Sequence, residues 1–414
     1  MAQEPPPALA GRKQFTDGTH RLRDPAETVA LLLPHLKAMG ITRIADVTGL
    51  DRTGIPVVMV CRPNARSVAV SQGKGLTLDA ARASGLMEAV ETWHAERIAG
   101  PLLLGSVGDL EASHPLIEVD SLPAIAGGRT DPHLPIHWIE GRDLGTGAAI
   151  WVPFEMVHSR YAASMPHRRM RFPASTNGLA SGNDFLEAAC HAICELIERD
   201  STSVWHHLPA DGRAASQVDT DSVDDVNCRR ALEMFAAAGL EVSIWDTTTD
   251  VGVPAFFCLV TEDDSAAPGH MGAGAGCHPT RAIALLRALT EAAQTRTTYI
   301  AGSRDDLRPD EYRPEAIAAK YRFARRVRSD RPPSRDFRSA PSWEVDSFAA
   351  DLQWLLARLE AAGCGPVAAV DLSRPNPGHG MAVVRAVIPG LEAPHDDDDY
   401  LPGPRARAAD GQRQ

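Results

Sequence analysis

The sequence lacks the features that mark a membrane-spanning or exported protein. No apolar run approaches the ~20 residues that a helix needs to cross a bilayer. The start, Met1-Ala-Gln-Glu-Pro-Pro-Pro7, has no basic segment followed by an apolar one, so it does not resemble a secretory signal. We therefore expect a cytoplasmic protein with no membrane partner.

The sequence also lacks paired cysteines, an excess of positive charge and a Walker-type phosphate loop. The seven cysteines show no C-x-x-C spacing. Cys190 and Cys194 flank His191 but lack the second pair that a zinc site needs, so we expect small apolar core residues. A net charge of -12 argues against nucleic acid as a partner, because phosphate neutralisation dominates such binding. For the same reason, an anionic substrate would have to come with its own cations. No GxxxxGK[ST] motif occurs, which excludes a Walker-type loop.

The remaining pattern is a mixture of helices and strands in a chain of 414 residues, long enough for two or three lobes. Asp24-Pro25 begins a helix that runs to Met39, and further helices are predicted over 224–238 and 347–362. Residues 138–153 have the pattern of a hairpin. The densely charged stretch 304–338 is predicted to be a solvated connection. Strand-like runs cover 41–47, 57–61, 241–245, 254–260, 367–370 and 381–387.

The sequence contains three similar segments, each a glycine-rich stretch followed by an amphipathic helix. A shift of 107 residues sets Ser71-Gln-Gly-Lys-Gly75 and its helix, with Glu88 and Glu91, against Ser175–Asn183 and a helix with Glu195 and Glu198. In the third segment, Gly272–Cys277 precedes a helix in which Glu291 and Gln294 take the corresponding places. Three such helices would gather around one site, although chance similarity in so degenerate a pattern is the alternative.

The residue types in these segments suit a nucleoside triphosphate. Glycine-rich loops that open helices offer unpaired N–H groups and a positive dipole end to phosphate, and Lys74 adds a cation. The carboxylates would hold Mg²⁺, which takes oxygen ligands and bridges phosphate oxygens. The alternative is that the E-x-x-E pairs are solvated helix faces and that Lys74 is an ordinary surface lysine.

In combination and in order, these blocks resemble the signature blocks of YcaO-domain proteins, from about residue 65 to the Pro389-Gly-Leu-Glu392 turn. The resemblance implies an α+β fold of the YcaO type. In that fold, mixed and antiparallel sheets pack with helices, and three loop-helix units converge on one nucleotide site. It divides the chain into an N-terminal helix and strands with a partly disordered start (1–65), an ATP-binding domain (66–392) and a polar C-terminal tail (393–414).

The resemblance also implies the cofactors, ATP and Mg²⁺, and the site residues. The implied metal ligands are Glu88, Glu91, Glu195 and Glu198, and the implied phosphate-side cations are Lys74 and Arg199. The other implied nucleotide contacts are Ser71, Asn183, Glu187, Glu291 and Gln294, and the implied catalytic set is Glu91, Glu198, His191 and Arg296. His191 is either a general base or a hydrogen-bonded packing residue.

Members of the family use ATP to activate a backbone amide of a ribosomally made peptide or a protein, which a nucleophile then attacks. External sulfide gives a thioamide, a Cys, Ser or Thr side chain gives an azoline, and a backbone amine gives an amidine. The tail departs from the proline-rich C-terminus of azoline-forming members, and we expect no fused leader-binding domain. We therefore expect thioamidation with a TfuA-type partner or a separate leader-binding protein, and dimerisation is common in the family. Azoline formation and a non-catalytic accessory role are the alternatives.

Overall fold

The computed structural model describes residues 11–125, 131–160, 171–262, 269–328, 332–375, 377–395 and 400–411. Its helices are α1 (Pro25–Leu32), α2 (Leu78–Ala95), α3 (Val107–Leu110), α4 (Phe185–His207), α5 (Ala210–Ala215), α6 (Val226–Ala237), α7 (Arg281–Ala301), α8 (Pro314–Val327), α9 (Phe348–Ala361) and α10 (Pro404–Gly411). Its strands are β1 (Arg43–Asp46), β2 (Val57–Cys61), β3 (Val70–Lys74), β4 (Leu102–Gly105), β5 (Ile136–Asp143), β6 (Ala149–Pro153), β7 (Leu179–Gly182), β8 (Leu240–Asp246), β9 (Ala255–Glu262), β10 (Gly272–Cys277), β11 (Ala368–Asp371) and β12 (Ala382–Val387).

These strands form antiparallel sheets that pack against the helices, which confirms the predicted α+β class. One sheet has the order β1-β2-β3 and a second has the order β10-β9-β8. A third has the order β4-β5-β11-β12-β7, with β6 paired to β5 in the expected hairpin. The β1-β2-β3 sheet joins the segment before residue 66 to the strand after it. Among the described residues, each helix is too short or too polar to span a bilayer.

The three glycine-rich segments end in strands, not in the loops that the sequence predicted. They are β3, β7 and β10, and each leads directly into a long helix: α2, α4 and α7. Glycine is needed because strand and helix backbones touch. A Cβ on Gly73 would collide with Ala81 O and Gly85 N, and a Cβ on Gly276 would collide with Ala284 O and Ala288 N, eight and twelve residues ahead in both cases.

The three strand-helix units are arranged in a ring. Besides its own strand, α2 contacts β7, α4 contacts β10, and α7 contacts β3. Each helix is therefore held between two glycine-rich strands. One side of every helix in the ring faces the common centre, as the three repeated segments predicted.

Three local predictions differ from the structure. The first α-helix stops at Leu32 and continues only as a 3-10 turn over Leu33–His35, because Pro34 has no N–H to donate to the next α-helical hydrogen bond. The charged stretch after residue 304 contains α8, which buries Ala324 and Val327 against Trp205 and its neighbours. The predicted polar tail contains α10, and its residues 396–399 and 412–414 lie outside the described residues. The predicted disorder at the start of the chain falls partly on residues 1–10, which are also outside the described residues, whereas residues from 11 onward are described and Lys13 pairs with Asp351 at 2.6 Å.

We expect Gly276→Ala to lower the free energy of unfolding by roughly 2 kcal/mol or more, because the new Cβ would meet backbone atoms that cannot rotate away. Gly49→Ala is the matched control, since nothing lies within 4 Å of a Cβ there and its backbone is not in the left-handed region. Urea unfolding of both variants checks the prediction. Equal losses in the two variants would contradict the close strand-helix contact.

Candidate active site

A cavity of about 600 Å³ lies at the centre of the ring. Ten of the residues predicted from the sequence line it: Ser71, Lys74, Glu88, Glu91, His191, Glu195, Glu198, Arg199, Glu291 and Gln294. They come from β3, α2, α4 and α7, which are far apart in sequence. The structure thus brings most of the predicted site to one place.

The helices contribute to the cavity in three layers. Shifts of 107 and 96 residues relate the positions within each layer. The layers are Ser84, His191 and Arg287; Glu88, Glu195 and Glu291; and Glu91, Glu198 and Gln294. Because successive layers are three or four residues apart, all three positions of a helix lie on its inner face.

Backbone amides of the glycine-rich strands bind these carboxylates. Within a unit, the Gln72 amide hydrogen-bonds to Glu88, and Ala275 N donates to Glu291 Oε1 at 3.4 Å, two pairs that occupy equivalent positions. The sequence predicted that the amides of the glycine-rich segments would bind phosphate. They are used instead by carboxylates, because strand geometry directs them to the neighbouring helix.

A second set of amides links one unit to the next. Ser181 N at the end of β7 donates to Glu91 Oε1 on α2 at 2.8 Å, and the Ser181 hydroxyl donates to the same oxygen at 2.7 Å. At the equivalent place, Cys277 N at the end of β10 donates to Glu198 Oε2 on α4 at 3.0 Å. These bonds orient two carboxylates and tie the ring together.

The N-termini of α2 and α4 each use one of their open amides in a side-chain cap, whereas the N-cap residue of α7 makes no such bond. Thr77 caps α2 by accepting from Ala80 N, and Asp184 caps α4 by accepting from Glu187 N. The cavity-lining carboxylates of α2 and α4 lie at least a turn further along. Positive charge for an anionic ligand must therefore come mainly from side chains.

Several cations supply that charge. Lys74 Nζ lies 2.6 Å from Glu291 Oε2, and Arg199 Nη2 lies 3.7 Å from Glu198 Oε1. Four further arginines, which were not identified from the sequence, line the cavity: Arg21, Arg230, Arg287 and Arg304. Arg287 could have been found, because it precedes Glu291 by one helical turn and shares its face. Nothing in the local sequence of the other three indicates the site.

The carboxylates repel each other in a space that is partly removed from water. Burial raises the pKa of Glu91 to about 8 despite the hydrogen bonds from Ser181, which lower it, and repulsion by Glu88 and Glu195 adds to the rise. Burial likewise raises the pKa of Glu195 to about 7, and it raises the pKa values of Glu88 and Glu198. A bound cation would relieve this repulsion.

Lys74 makes Glu291 an exception. Burial alone would raise the pKa of this carboxyl, but the nearby charges of Lys74 and Arg199 lower it by a larger amount, so the net shift is downward. Glu291 is therefore an ionised partner of Lys74, and the other carboxylates are short of positive charge.

The donor set fits Mg²⁺ that is bound together with phosphate. Carboxylate oxygens are the ligands that Mg²⁺ prefers, and it is usually held by one or two of them plus phosphate oxygens and water. Within the described residues, no three His, Cys, Asp or Glu side chains enclose an ion by themselves. Glu88, Glu91, Glu195 and Glu198 would hold Mg²⁺ in that shared manner.

Asn183 and Glu187 lie outside the cavity lining. Asn183 Nδ2 donates to both Glu187 oxygens at 3.0 Å, and Glu187 also forms an ion pair with Arg21 Nη1 at 3.2 Å and accepts from Leu22 N at 3.0 Å. The two residues therefore fix the N-terminal segment and its Arg21, which does line the cavity.

Arg296 also lies outside the cavity lining. Its Nε is 3.1 Å from Asp51 Oδ2, its Nη2 is 3.3 Å from Glu262 Oε1, and its Nη1 donates to His270 O at 2.6 Å. The side chain is 3% exposed. These contacts give Arg296 a structural position, held between two carboxylates.

Comparison with known sequences gives close relatives. The family model described as YcaO cyclodehydratase, ATP- and Mg²⁺-binding, matches residues 72–392. An uncharacterized protein in the tfuA 3′ region of Rhizobium leguminosarum bv. trifolii is 36% identical over 397 residues, which cover 92% of this chain and 90% of that protein. An uncharacterized protein of Methanothermobacter thermautotrophicus is 35% identical over 391 residues, which cover 93% and 98%.

Solved structures share the fold at lower identity. YcaO from Methanopyrus kandleri, bound with AMPPCP and Mg²⁺, superposes with a TM-score of 0.75 at 23% identity, over 95% of this chain and 98% of that one. A heterocyclase in complex with substrate and cofactor gives a TM-score of 0.77 at 22% identity, over 94% of this chain and 55% of that one.

We expect Glu91→Gln to be more favourable for the stability of the metal-free protein at pH 9 than at pH 5. Because the folded-state pKa of Glu91 is raised to about 8, its contribution is most favourable below its ordinary pKa and is lost as the pH rises through 8. The effect of the substitution is expected to differ between the two pH values by up to about 4 kcal/mol in the free energy of unfolding, because roughly three pH units separate pH 5 from the folded-state pKa. Urea unfolding in EDTA measures it.

Glu233→Gln, on the exposed side of α6 and outside the cavity lining, is the control. An effect of Glu91→Gln that is equal at pH 5 and pH 9 would show that the carboxylate is not in an unfavourable environment.

Proposed function

The chain belongs to the YcaO family, whose domain binds ATP and Mg²⁺, and on this premise we propose that it activates a backbone amide of a peptide or protein for attack by sulfide. The observation that carries the proposal is the central cavity, where layered carboxylates face Lys74 and Arg199. Such a site suits phosphoryl transfer, in which the protein mainly positions the reactants and neutralises charge.

ATP supplies the phosphoryl group that turns the amide oxygen into a leaving group. Sulfide then forms a bond to the amide carbon, and the oxygen departs with the phosphate. The net change in the polypeptide is replacement of one oxygen by sulfur. An unactivated amide would not react in this way, because its oxygen is a poor leaving group.

In this proposal the cavity residues have separate roles. Lys74 and Arg199 bind phosphate oxygens, and Glu88, Glu91, Glu195 and Glu198 hold Mg²⁺. Ser71, Glu291 and Gln294 complete the nucleotide pocket, since all three line the same cavity. Asn183 and Glu187 act indirectly through Arg21, to which Glu187 is ion-paired.

The choice of sulfide rests on the relative from Rhizobium, which is described by its place in the tfuA 3′ region. A TfuA-type protein would then be the partner of this chain.

Azoline formation is the second candidate. It is favoured by the description of the family model as a cyclodehydratase and by the similarity to a heterocyclase. The two reactions share the phosphorylation step and differ only in the nucleophile. The site residues therefore do not distinguish them, and the product does.

We expect intact-mass analysis of a candidate peptide, co-expressed with this protein and a TfuA-type partner, to show a gain of about sixteen daltons per thioamide. A loss of about eighteen daltons would instead establish an azoline or an amidine. Glu198→Gln should abolish the change because it removes a metal-binding charge, and Glu233→Gln should not alter it. An unmodified peptide in every sample, together with no Mg²⁺-dependent ATP turnover, would contradict the proposed function.

A further inference from the structure

Both ring nitrogens of His191 are engaged by protein groups. Arg287 Nη2 lies 2.8 Å from His191 Nε2, and a guanidinium can only donate, so Nε2 is the acceptor. The ring proton is then on Nδ1, which hydrogen-bonds to the backbone carbonyl of Ser181. Residues from three elements, β7, α4 and α7, thus fix one tautomer and one orientation of the ring.

This arrangement leaves no lone pair for proton abstraction. The Nε2 lone pair is directed at a guanidinium that does not deprotonate in proteins. Burial and the nearby Arg287, Arg21 and Lys74 hold the pKa of His191 well below its usual range. The ring is therefore neutral and already hydrogen-bonded at both nitrogens, which does not suit a general base.

Arg287 differs from the other cations of the site in its partner. Lys74 and Arg199 each form an ion pair with a carboxylate. Within the part of the chain that the structure describes, Arg287 forms no ion pair, and its side-chain hydrogen bond goes to the neutral ring of His191. Its positive charge is therefore not cancelled by a direct partner, while the side chain lines the cavity.

The residue type at position 191 explains why the charge is preserved. A carboxylate there would orient Arg287 but would also neutralise it, and a protonated histidine would repel it. A neutral imidazole accepts one hydrogen bond and leaves the other guanidinium N–H groups directed elsewhere. Positions 191 and 287 are equivalent in the ring, so their side chains meet where α4 and α7 face each other.

We propose that His191 is a positioning residue, which holds the Arg287 guanidinium toward the cavity so that its remaining donors bind a phosphate oxygen. His191 itself transfers no proton. The inference rests on the proposed function, since the phosphate is that of the bound nucleotide, but it concerns a separate contact.

Amide substitutions test the proposal, because they do not titrate. His191→Gln places an amide oxygen where Nε2 accepts, so we expect ATP turnover to stay within about tenfold of the wild-type rate, with an unchanged pH profile. His191→Ala loses the acceptor, and a loss of roughly 10- to 100-fold in kcat/KM for ATP is expected. His207→Gln, at the end of the same helix and outside the cavity lining, is the control.

A double-mutant cycle supplies the second measurement. Arg287→Gln should lower kcat/KM for ATP by roughly 100-fold, and adding His191→Ala to it should cause little further loss, because the histidine acts through the arginine. Isothermal titration with Mg²⁺ and a non-hydrolysable ATP analogue gives the same cycle for binding alone, and circular dichroism confirms that each variant is folded.

The proposal is overturned if His191→Gln is as inactive as His191→Ala, or if the losses from the His191 and Arg287 substitutions simply add. Loss of one limb of the pH profile in His191→Gln would show that the histidine is a general base. Failure of the proposed function looks different: the wild-type protein itself would show no Mg²⁺-dependent ATP turnover.

Discussion

The structure depends on close backbone contact between a glycine-rich strand and the helix that follows it. Gly73 and Gly276 let strand and helix backbones touch, and the strand amides then reach carboxylates on the inner faces of α2, α4 and α7. Bonds from Ser181 and Cys277 to the next helix close the ring. The same contacts that hold the fold together also set the position of the acidic layers.

The acidic layers give the site its chemistry and a cost in stability. Carboxylates such as Glu91 and Glu195, whose pKa values are raised to about 8 and about 7, are unfavourable in the metal-free protein when they are ionised. Mg²⁺ and the cations around the cavity offset that cost when nucleotide is bound. The metal-free protein is therefore destabilised at the site where bound Mg²⁺ and nucleotide stabilise it.

The sequence predicted the repeated units and most of the cavity lining, because the spacing of Glu88, Glu195 and Glu291 is a periodic signal along the chain. It did not predict that the glycines would lie in strands, since composition alone does not distinguish a flexible loop from close backbone contact. It placed Arg296 in the site, whereas Asp51, which is distant in sequence, holds it elsewhere. It missed Arg21, which reaches the cavity through tertiary contacts that no local pattern records.

In the proposed function, the acidic layers bind Mg²⁺ together with ATP. Isothermal titration of ATP at pH 7, in buffers of different ionisation enthalpy and with or without Mg²⁺, tests it most directly. Because the raised pKa of Glu91, about 8, keeps that carboxyl largely protonated in the free protein, we expect binding to require Mg²⁺ and to release protons. Binding of equal strength in EDTA, without proton release, would contradict the joint binding of Mg²⁺ and ATP by these carboxylates.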